Sequence, residues 1–258
     1  MTYLWVLTSL SCLSAVSAEI RLVDLTHMHG PSTIYWPGNP KYNFTIMYEA
    51  NSFATAEHGG THLDSPSHFA KGAWHTAQIP MENLYGPGVV IDVKSKTKNN
   101  PDYRVTLQDL MDWERKYGRI PRKSVVVMNS GWSYFYPNKT RVFNSTTSDD
   151  PSTFHFPGWH EDAVTWLLNN RHINVLGVDT PSTDYGQSTT FPVHVILGKA
   201  NIPGMENVAF LDRIPVNGTM IYAAVIKLYD GSGGPIRVFA TITEKEPINI
   251  INNSEAKQ

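Results

Sequence analysis

The 258-residue sequence predicts an α/β domain that is rich in strands. Two observations lead to this fold class. Five short runs of apolar and β-branched residues have the length and composition of buried strands. Two other segments have the apolar spacing and the end signals of helices, and the second of them lies between the strands that begin at Ser124 and Val175. We find no internal repeat or low-complexity linker, so we predict one domain over residues 19–258.

The predicted strands are continuous apolar runs bounded by turn residues. They cover Val89–Val93, Ser124–Met128, Val175–Val178, Ile221–Lys227 and Ile236–Ile242. The Gly-rich segment Gly231–Gly234 lies between the last two strands and follows no phosphate-loop pattern. It therefore predicts a hairpin connection.

The first predicted helix has Thr106 as its N-cap, keeps its apolar residues near one face and ends by Gly118. The second runs from about Trp159 to Asn170. Glu161 and Asp162 lie in its first turn, where negative charge is favourable to the helix dipole.

Between the second strand and the second helix lies a long irregular segment, Asn129–Pro157, which is rich in aromatic residues. Long loops in compact domains are either functional or disordered, and the aromatic content favours a functional loop. Ser130 in this segment is not in a nucleophile-elbow context, which argues against Ser–His hydrolase chemistry.

Residues 1–18 have the features of a secretory signal peptide. The stretch Leu4–Val16 is apolar, the first charge is Glu19, and Val16-Ser-Ala18 places small residues before a cleavage site after Ala18. A buried N-terminal element or a membrane anchor is the alternative, although the run is short for a span of ~20 residues. We predict a secreted protein that is free of the membrane after cleavage. The only cysteine, Cys12, would be lost with the signal.

Export is consistent with glycosylation, since the sequence contains five Asn-X-Ser/Thr sequons. They begin at Asn43, Asn138, Asn144, Asn217 and Asn252. The net charge of −2 and the absence of basic runs exclude an extended nucleic-acid-binding surface.

The densest chemical signal is the run His58-Gly-Gly-Thr-His62-Leu-Asp64-Ser-Pro-Ser-His68. The glycines and the proline make a helix unlikely, so His58 and His62 are not a helical pair of ligands. If the chain is extended after Gly60, His62 and Asp64 point the same way, and the glycines let His58 fold back toward them.

Two imidazoles and a carboxylate leave coordination positions open for water and substrate, as a catalytic metal site requires. The alternative is a polar turn with hydrogen-bonded histidines. Three histidines and one aspartate within eleven residues favour the metal site.

This run resembles the signature of the cyclase-like metal-dependent hydrolases, which include bacterial-type kynurenine formamidases and isatin hydrolases. The resemblance extends from about Asp24 to Ile214 in the same order. Besides the histidine run, it is carried by Asp24-Leu-Thr, Trp36-Pro-Gly, Ser130-Gly-Trp, Phe156-Pro-Gly, Gly177-Val-Asp-Thr-Pro-Ser-Thr-Asp184, His194 and Glu206-Asn207.

The resemblance implies a mixed, barrel-like β core with flanking helices, in a homodimer. It also implies that His58, His62 and Asp64 bind one metal ion, and that Asp64 bridges to a second ion held by His194 and Glu206. Read from the residues alone, His194 could equally be a core histidine beside a strand and Glu206 a surface residue on a turn. The resemblance further assigns acid–base catalysis to His68.

The predicted cofactor is one or two divalent ions, zinc or manganese. An amide carbonyl is a poor electrophile, and a divalent ion activates it by polarising its oxygen and by lowering the pKa of bound water to ~7. A neutral His68 can then transfer a proton to the leaving nitrogen, and Glu206 shares this role if it is a weak ligand. Trp36, Trp132, Phe135 and Trp159 could form a slot for an aromatic substrate or could be core residues.

Three functions remain open at this point. The leading hypothesis is an arylformamidase-like hydrolase that converts N-formylkynurenine or a related aryl amide. The second is an isatin hydrolase-like enzyme that opens a cyclic amide. The third, from another class, is a secreted protein that binds small molecules on the same fold without turnover.

Overall fold

The computed structural model describes residues 19–244, so the predicted signal peptide lies outside the described residues and stays a prediction. The strands are β1 (Glu19–Asp24), β2 (Asn43–Thr45), β3 (Ser52–Ala54), β4 (His62–Asp64), β5 (Tyr85–Asp92), β6 (Arg104–Val105), β7 (Val125–Asn129), β8 (Gly158–Trp159), β9 (Val175–Val178), β10 (Gly204–Glu206), β11 (Thr219–Val225) and β12 (Gly233–Glu244).

The α-helices within the same range are α1 (Lys94–Thr97), α2 (Leu107–Tyr117), α3 (Lys139–Phe143), α4 (Glu161–Asn170) and α5 (Pro192–Lys199). Short 3₁₀ helices lie at Pro66–His68, Thr76–Gln78, Met81–Asn83, Trp132–Phe135, Pro151–Thr153 and Leu211–Arg213. In the part of the chain that the structure describes, no helix is long and apolar enough to span a membrane.

Seven strands form a closed barrel in the order β12-β11-β5-β7-β9-β10-β4, and pairing of β4 with β12 closes it. The β5–β7, β7–β9 and β9–β10 pairs are parallel, whereas the β10–β4, β4–β12, β12–β11 and β11–β5 pairs are antiparallel. Strand β1 adds to the outer edge of β12. The predicted fold class, a mixed barrel-like core with flanking helices, is confirmed.

The parallel strands are buried on both faces, which explains their continuous apolar runs. Along β7, Val125 and Val127 pack in the cluster that fills the barrel, together with Leu63 of β4 and Met205 of β10. The alternate residues of β7 pack instead against α2, α4 and α5.

Helix α2 is confirmed as predicted. Thr106 accepts a hydrogen bond from the backbone N–H of Asp109, and Gly118 ends the helix with a φ of 91°. The second predicted helix needs a correction, because it begins at Glu161 rather than Trp159. Trp159 belongs to β8, where its ring is buried and its Nε1–H donates to the carbonyl of Gly177 at 3.1 Å.

The loop predicted over Asn129–Pro157 contains α3 and two 3₁₀ helices, which its sequence did not suggest. The Gly-rich segment also differs from its prediction in part. Gly231 lies in the connection between β11 and β12, but Gly233 and Gly234 already belong to β12 and pair with Asp64 and Leu63 of β4. Two glycine residues therefore lie directly beside β4, the strand that carries His62 and Asp64.

Candidate metal centre

Strand β4 positions the first predicted ligands. His62 and Asp64 share one face of the strand, while Leu63 between them points into the barrel core with no exposed surface. Gly60 has a φ of 58°, a left-handed conformation that glycine adopts at little cost. The chain thereby turns His58 toward the same face, and its Nδ1 lies 2.6 Å from Oδ1 of Asp64. The predicted fold-back is confirmed.

The second pair of predicted ligands reaches the same place from the other side. His194 lies in α5, and Glu206 lies in β10, where it pairs with His62 of β4. The Nε2 atom of His194 is 3.2 Å from Oδ2 of Asp64 and 3.1 Å from Oε1 of Glu206. Glu206 is only 4% exposed, which excludes a surface position on a turn. His194 lies on helix α5 rather than beside a strand. All five predicted metal-binding side chains therefore converge.

Two residues beside His58 were missed by sequence reasoning. The hydroxyl of Ser232 lies 2.9 Å from Nε2 of His58 and donates to Oε2 of Glu57 at 2.6 Å. A Cβ atom at Gly233 would lie 2.4 Å from Cε1 of His58, so only glycine leaves room for the ring. The segment interpreted as a hairpin connection thus also forms one wall of the site. Ser232 is 174 positions from His58 along the chain, so no local sequence pattern indicated this contact.

His68 ends the 3₁₀ helix Pro66–His68 and faces the cavity. Its ring stacks on His58 with centroids 4.0 Å apart, and its centroid is 6.2 Å from that of His194. Desolvation of its ring by the surrounding protein lowers the pKa of His68 to about 4; the charge of Asp64 opposes this shift, and the charges of His58, His194 and His62 add to it. The imidazole is therefore neutral at physiological pH and free to accept a proton.

The ligand cluster is strongly coupled electrostatically. Burial by itself would raise the pKa of Asp64, but the charge of His58 and hydrogen bonds from three histidines lower it well below its usual value. For His62, burial is outweighed by the hydrogen bond and charge of Asp64 and by the charge of Glu206, which raise the pKa to about 9. A metal ion must displace the histidine protons in order to bind.

A cavity of about 280 Å³ opens over this cluster. Its wall is aromatic, and Trp36 is central to it: the indole makes edge contacts with Phe143, Phe154 and Phe191 at centroid distances of 5.9, 5.2 and 6.4 Å. Phe69 also lines the cavity. The structure thus places Trp36 in the wall of the cavity over the ligand cluster.

The other three aromatic candidates do not line the cavity. Trp132 is 7% exposed, and its Nε1–H donates to the carbonyl of Val142 at 2.8 Å, so its ring belongs to an internal cluster. Phe135 packs edge-on against Trp132 at 5.0 Å. Trp159 is buried beneath α4. Phe143, which does line the cavity, was not singled out from the sequence.

Comparisons with known proteins agree with this geometry. The sequence profile of the Cyclase family matches residues 23–185. This chain belongs to the cyclase family. The resemblance inferred from its motifs is confirmed.

Among its relatives in the cyclase family is an isatin hydrolase from Roseibium aggregatum, 29% identical over 251 residues, which cover 88% of this chain and 94% of the relative. A kynurenine formamidase from Salinibacter ruber is 25% identical over 227 residues, which cover 84% of this chain and 96% of the relative. The solved structure of an isatin hydrolase bound to the product analogue thioisatinate superposes with a TM-score of 0.81 at 29% identity, covering 88% of this chain and 94% of that one. The structure of isatin hydrolase A from Ralstonia solanacearum superposes with a TM-score of 0.78 at 33% sequence identity, covering 86% of this chain and 92% of that one.

The side chains of this cyclase-family member fit a divalent metal. Within residues 19–244, two groups have ligand atoms within 4.8 Å of one another: His58, Asp64 and His68, and His62, Asp64 and Glu206. Asp64 belongs to both groups, which suits a bridging carboxylate. The grouping differs from the expected one in three ways: His58 and His62 fall into separate groups, His68 comes within reach as a ligand, and His194 belongs to neither group although its Nε2 lies 3.2 Å from Asp64 and 3.1 Å from Glu206. Imidazole and carboxylate donors suit zinc, manganese or iron.

Proposed function

We propose that this protein is a metal-dependent hydrolase that cleaves aryl amide C–N bonds, with aryl formamides, N-formylkynurenine or a close uncharged aryl amide, as its leading substrate class. The observation that carries the proposal is the convergence of five metal-binding side chains and a neutral His68 at the base of one aromatic cavity. Relatives named as kynurenine formamidases and an isatin hydrolase support the reaction class.

In this proposal His58, His62, Asp64, His194 and Glu206 hold zinc or manganese, as one ion or two. When bound, the metal supplies Lewis-acid activation of water and of the substrate carbonyl. The protein's own contribution is to orient the substrate and to move protons.

His68 is placed to carry out the proton transfer. Its ring lies against His58 and opens to the cavity, and its low pKa keeps one nitrogen free to accept a proton at neutral pH. It takes the proton from the attacking water and returns it to the leaving nitrogen, so that an amine rather than an amine anion departs. Glu206 shares this proton transfer if it binds the metal weakly.

Opening of a cyclic amide such as isatin is the second candidate, and the chemistry of the cavity wall favours it. None of the described residues that line the cavity is Lys or Arg. N-formylkynurenine carries an α-carboxylate, for which an Arg or Lys is the usual partner, whereas isatin is compact, aromatic and uncharged. The similarity to isatin hydrolases points the same way.

Three substrates separate these possibilities. Formanilide is an aryl formamide without ionised groups, N-formylkynurenine is an aryl formamide that carries an α-carboxylate and an α-ammonium group, and isatin is an uncharged cyclic amide. We expect the mature protein, loaded with manganese or zinc, to hydrolyse an aryl amide and to prefer formanilide over N-formylkynurenine in kcat/KM. Hydrolysis of isatin alone would establish the second candidate. Failure on all three and on a wider panel of aryl amides would support a binding protein without turnover.

We also propose that the protein is exported and that the mature chain begins at Glu19. The apolar leader supports this, as do four sequon asparagines that are exposed in the structure: Asn43, Asn138, Asn144 and Asn217. N-terminal sequencing of the native protein should give Glu19, and an intact Met1 would refute export by this signal. The homodimer that the resemblance implies stays a prediction, which sedimentation of the mature protein would test.

A further inference from the structure

The Thr183–Asp184 segment contacts both members of the second ligand pair. The backbone N–H of Thr183 donates to Oε1 of Glu206 at 2.9 Å. Oδ2 of Asp184 lies 2.7 Å from Nδ1 of His194, and both Thr183 and Asp184 are almost completely buried. Two consecutive residues therefore fix a side chain from α5 and a side chain from β10.

Asp184 also holds the start of the helix that carries His194. Its Oδ1 accepts from the backbone N–H of Val193 at 3.0 Å, and its Oδ2 accepts from the backbone N–H of His194 at 3.2 Å. The residue at the usual capping position, Phe191, provides no side-chain cap. The same carboxylate thus anchors the imidazole ring and the first turn beneath it.

The contacts determine which nitrogen of His194 faces the ligand cluster. A carboxylate accepts hydrogen bonds and cannot donate one, so its contact at Nδ1 requires a proton on that nitrogen. Nε2 also faces carboxylate oxygens, at 3.2 Å from Asp64 and 3.1 Å from Glu206, so without a metal it carries a proton as well. This is the proton that a metal ion would displace, while the contact with Asp184 keeps the proton on Nδ1. The other tautomer would direct a protonated Nε2 at the metal and prevent coordination.

We propose that Asp184 is the positioning residue for His194: its carboxylate fixes the tautomer and the ring orientation that present Nε2 to a divalent metal. The proposal rests on the proposed function, because it assigns His194 as a ligand. Partners of this kind orient metal-binding histidines, and their loss typically costs ~10–100-fold in metal affinity or activity.

A purely structural role makes a different prediction. If Asp184 only caps α5, its loss should lower the melting temperature and leave metal affinity unchanged. Ser188 offers a matched control, since its Oγ accepts from the backbone N–H of Phe191 at 3.2 Å at the start of the same helix. Ser188→Ala removes a hydrogen bond from this helix end without touching the ring of His194.

The experiment compares wild type, Asp184→Ala, Asp184→Asn and Ser188→Ala, each stripped with a chelator and titrated calorimetrically with zinc and with manganese. Melting temperature is measured on the same preparations. We expect both Asp184 variants to bind metal about 10–100-fold more weakly and Ser188→Ala to bind it normally. Wild-type affinity in a folded Asp184→Ala would overturn the proposal. If that variant does not fold, the affinity of Asp184→Asn, which keeps the size and one accepting oxygen, decides in the same way.

This outcome is separable from the proposed function. A loss of metal affinity in the Asp184 variants, in a protein whose wild type hydrolyses no amide, would support the positioning role and refute the hydrolase. If the Asp184 variants bind metal as tightly as a wild type that hydrolyses aryl amides, the hydrolase is supported and the positioning role of Asp184 is refuted.

Discussion

Asp64→Asn is expected to abolish metal binding and hydrolysis together. The carboxylate of Asp64 is the centre of the cluster, with Nδ1 of His58 at 2.6 Å, Nε2 of His62 at 3.3 Å and Nε2 of His194 at 3.2 Å. Asparagine has nearly the same volume but removes the negative charge that these imidazoles face. Without a bound metal to activate water, kcat/KM should fall by more than about 10³-fold.

Metal content per chain and kcat/KM measured on one preparation check this expectation. Asp92→Asn is the matched control, because Asp92 is an exposed aspartate at the end of β5 and does not line the cavity. It should keep both metal and activity. If Asp64→Asn retained the full metal stoichiometry of the wild type, Asp64 would not be the shared ligand.

The second large effect is expected for His68→Ala, which should retain most of its metal and lose about 10²–10⁴-fold in kcat. The reason is that His68 is neutral at physiological pH and faces the cavity, where it can take and return a proton. Its ring stacks on His58 at 4.0 Å, so some loss of packing accompanies the substitution.

Metal content, melting temperature and kcat distinguish three roles for His68. Loss of metal together with rate would make it a ligand, which its distance to His58 and Asp64 allows. Reduced stability with normal specific activity would make it a packing residue. His75→Ala serves as control, since His75 caps a nearby 3₁₀ helix and does not line the cavity. Near-normal kcat at full metal loading would eliminate His68 as the acid–base residue.

The local part of the site was predictable from the residues themselves. The alternation of side chains on a strand placed His62 and Asp64 on one face, and Gly60 allowed His58 to join them. The position of His194 and Glu206 came only from the family resemblance, because the contact between them is made by α5 and β10, neither of which was predicted as an element.

Residues brought in by long-range pairing could not be found in this way. Ser232 and Gly233 reach His58 because β12 pairs with β4 and closes the barrel, and no local pattern encodes that pairing. Asp184 lay in a recognised motif, yet its contacts with His194 depend on how α5 packs. Aromatic residues posed the opposite problem: Trp36 lines the cavity and Trp132 is core, although both are equally apolar in sequence.

The central claim is that this site hydrolyses an aryl amide only when a divalent metal is bound. The most direct test is a metal titration of hydrolysis by the chelated mature protein, with isatin, formanilide and N-formylkynurenine as substrates. We predict no turnover without metal, and a rate that rises in proportion to added manganese or zinc until one or two ions are bound per chain. Undiminished hydrolysis by protein that contains no measurable metal would contradict the claim, as would fully loaded protein that hydrolyses none of the three substrates.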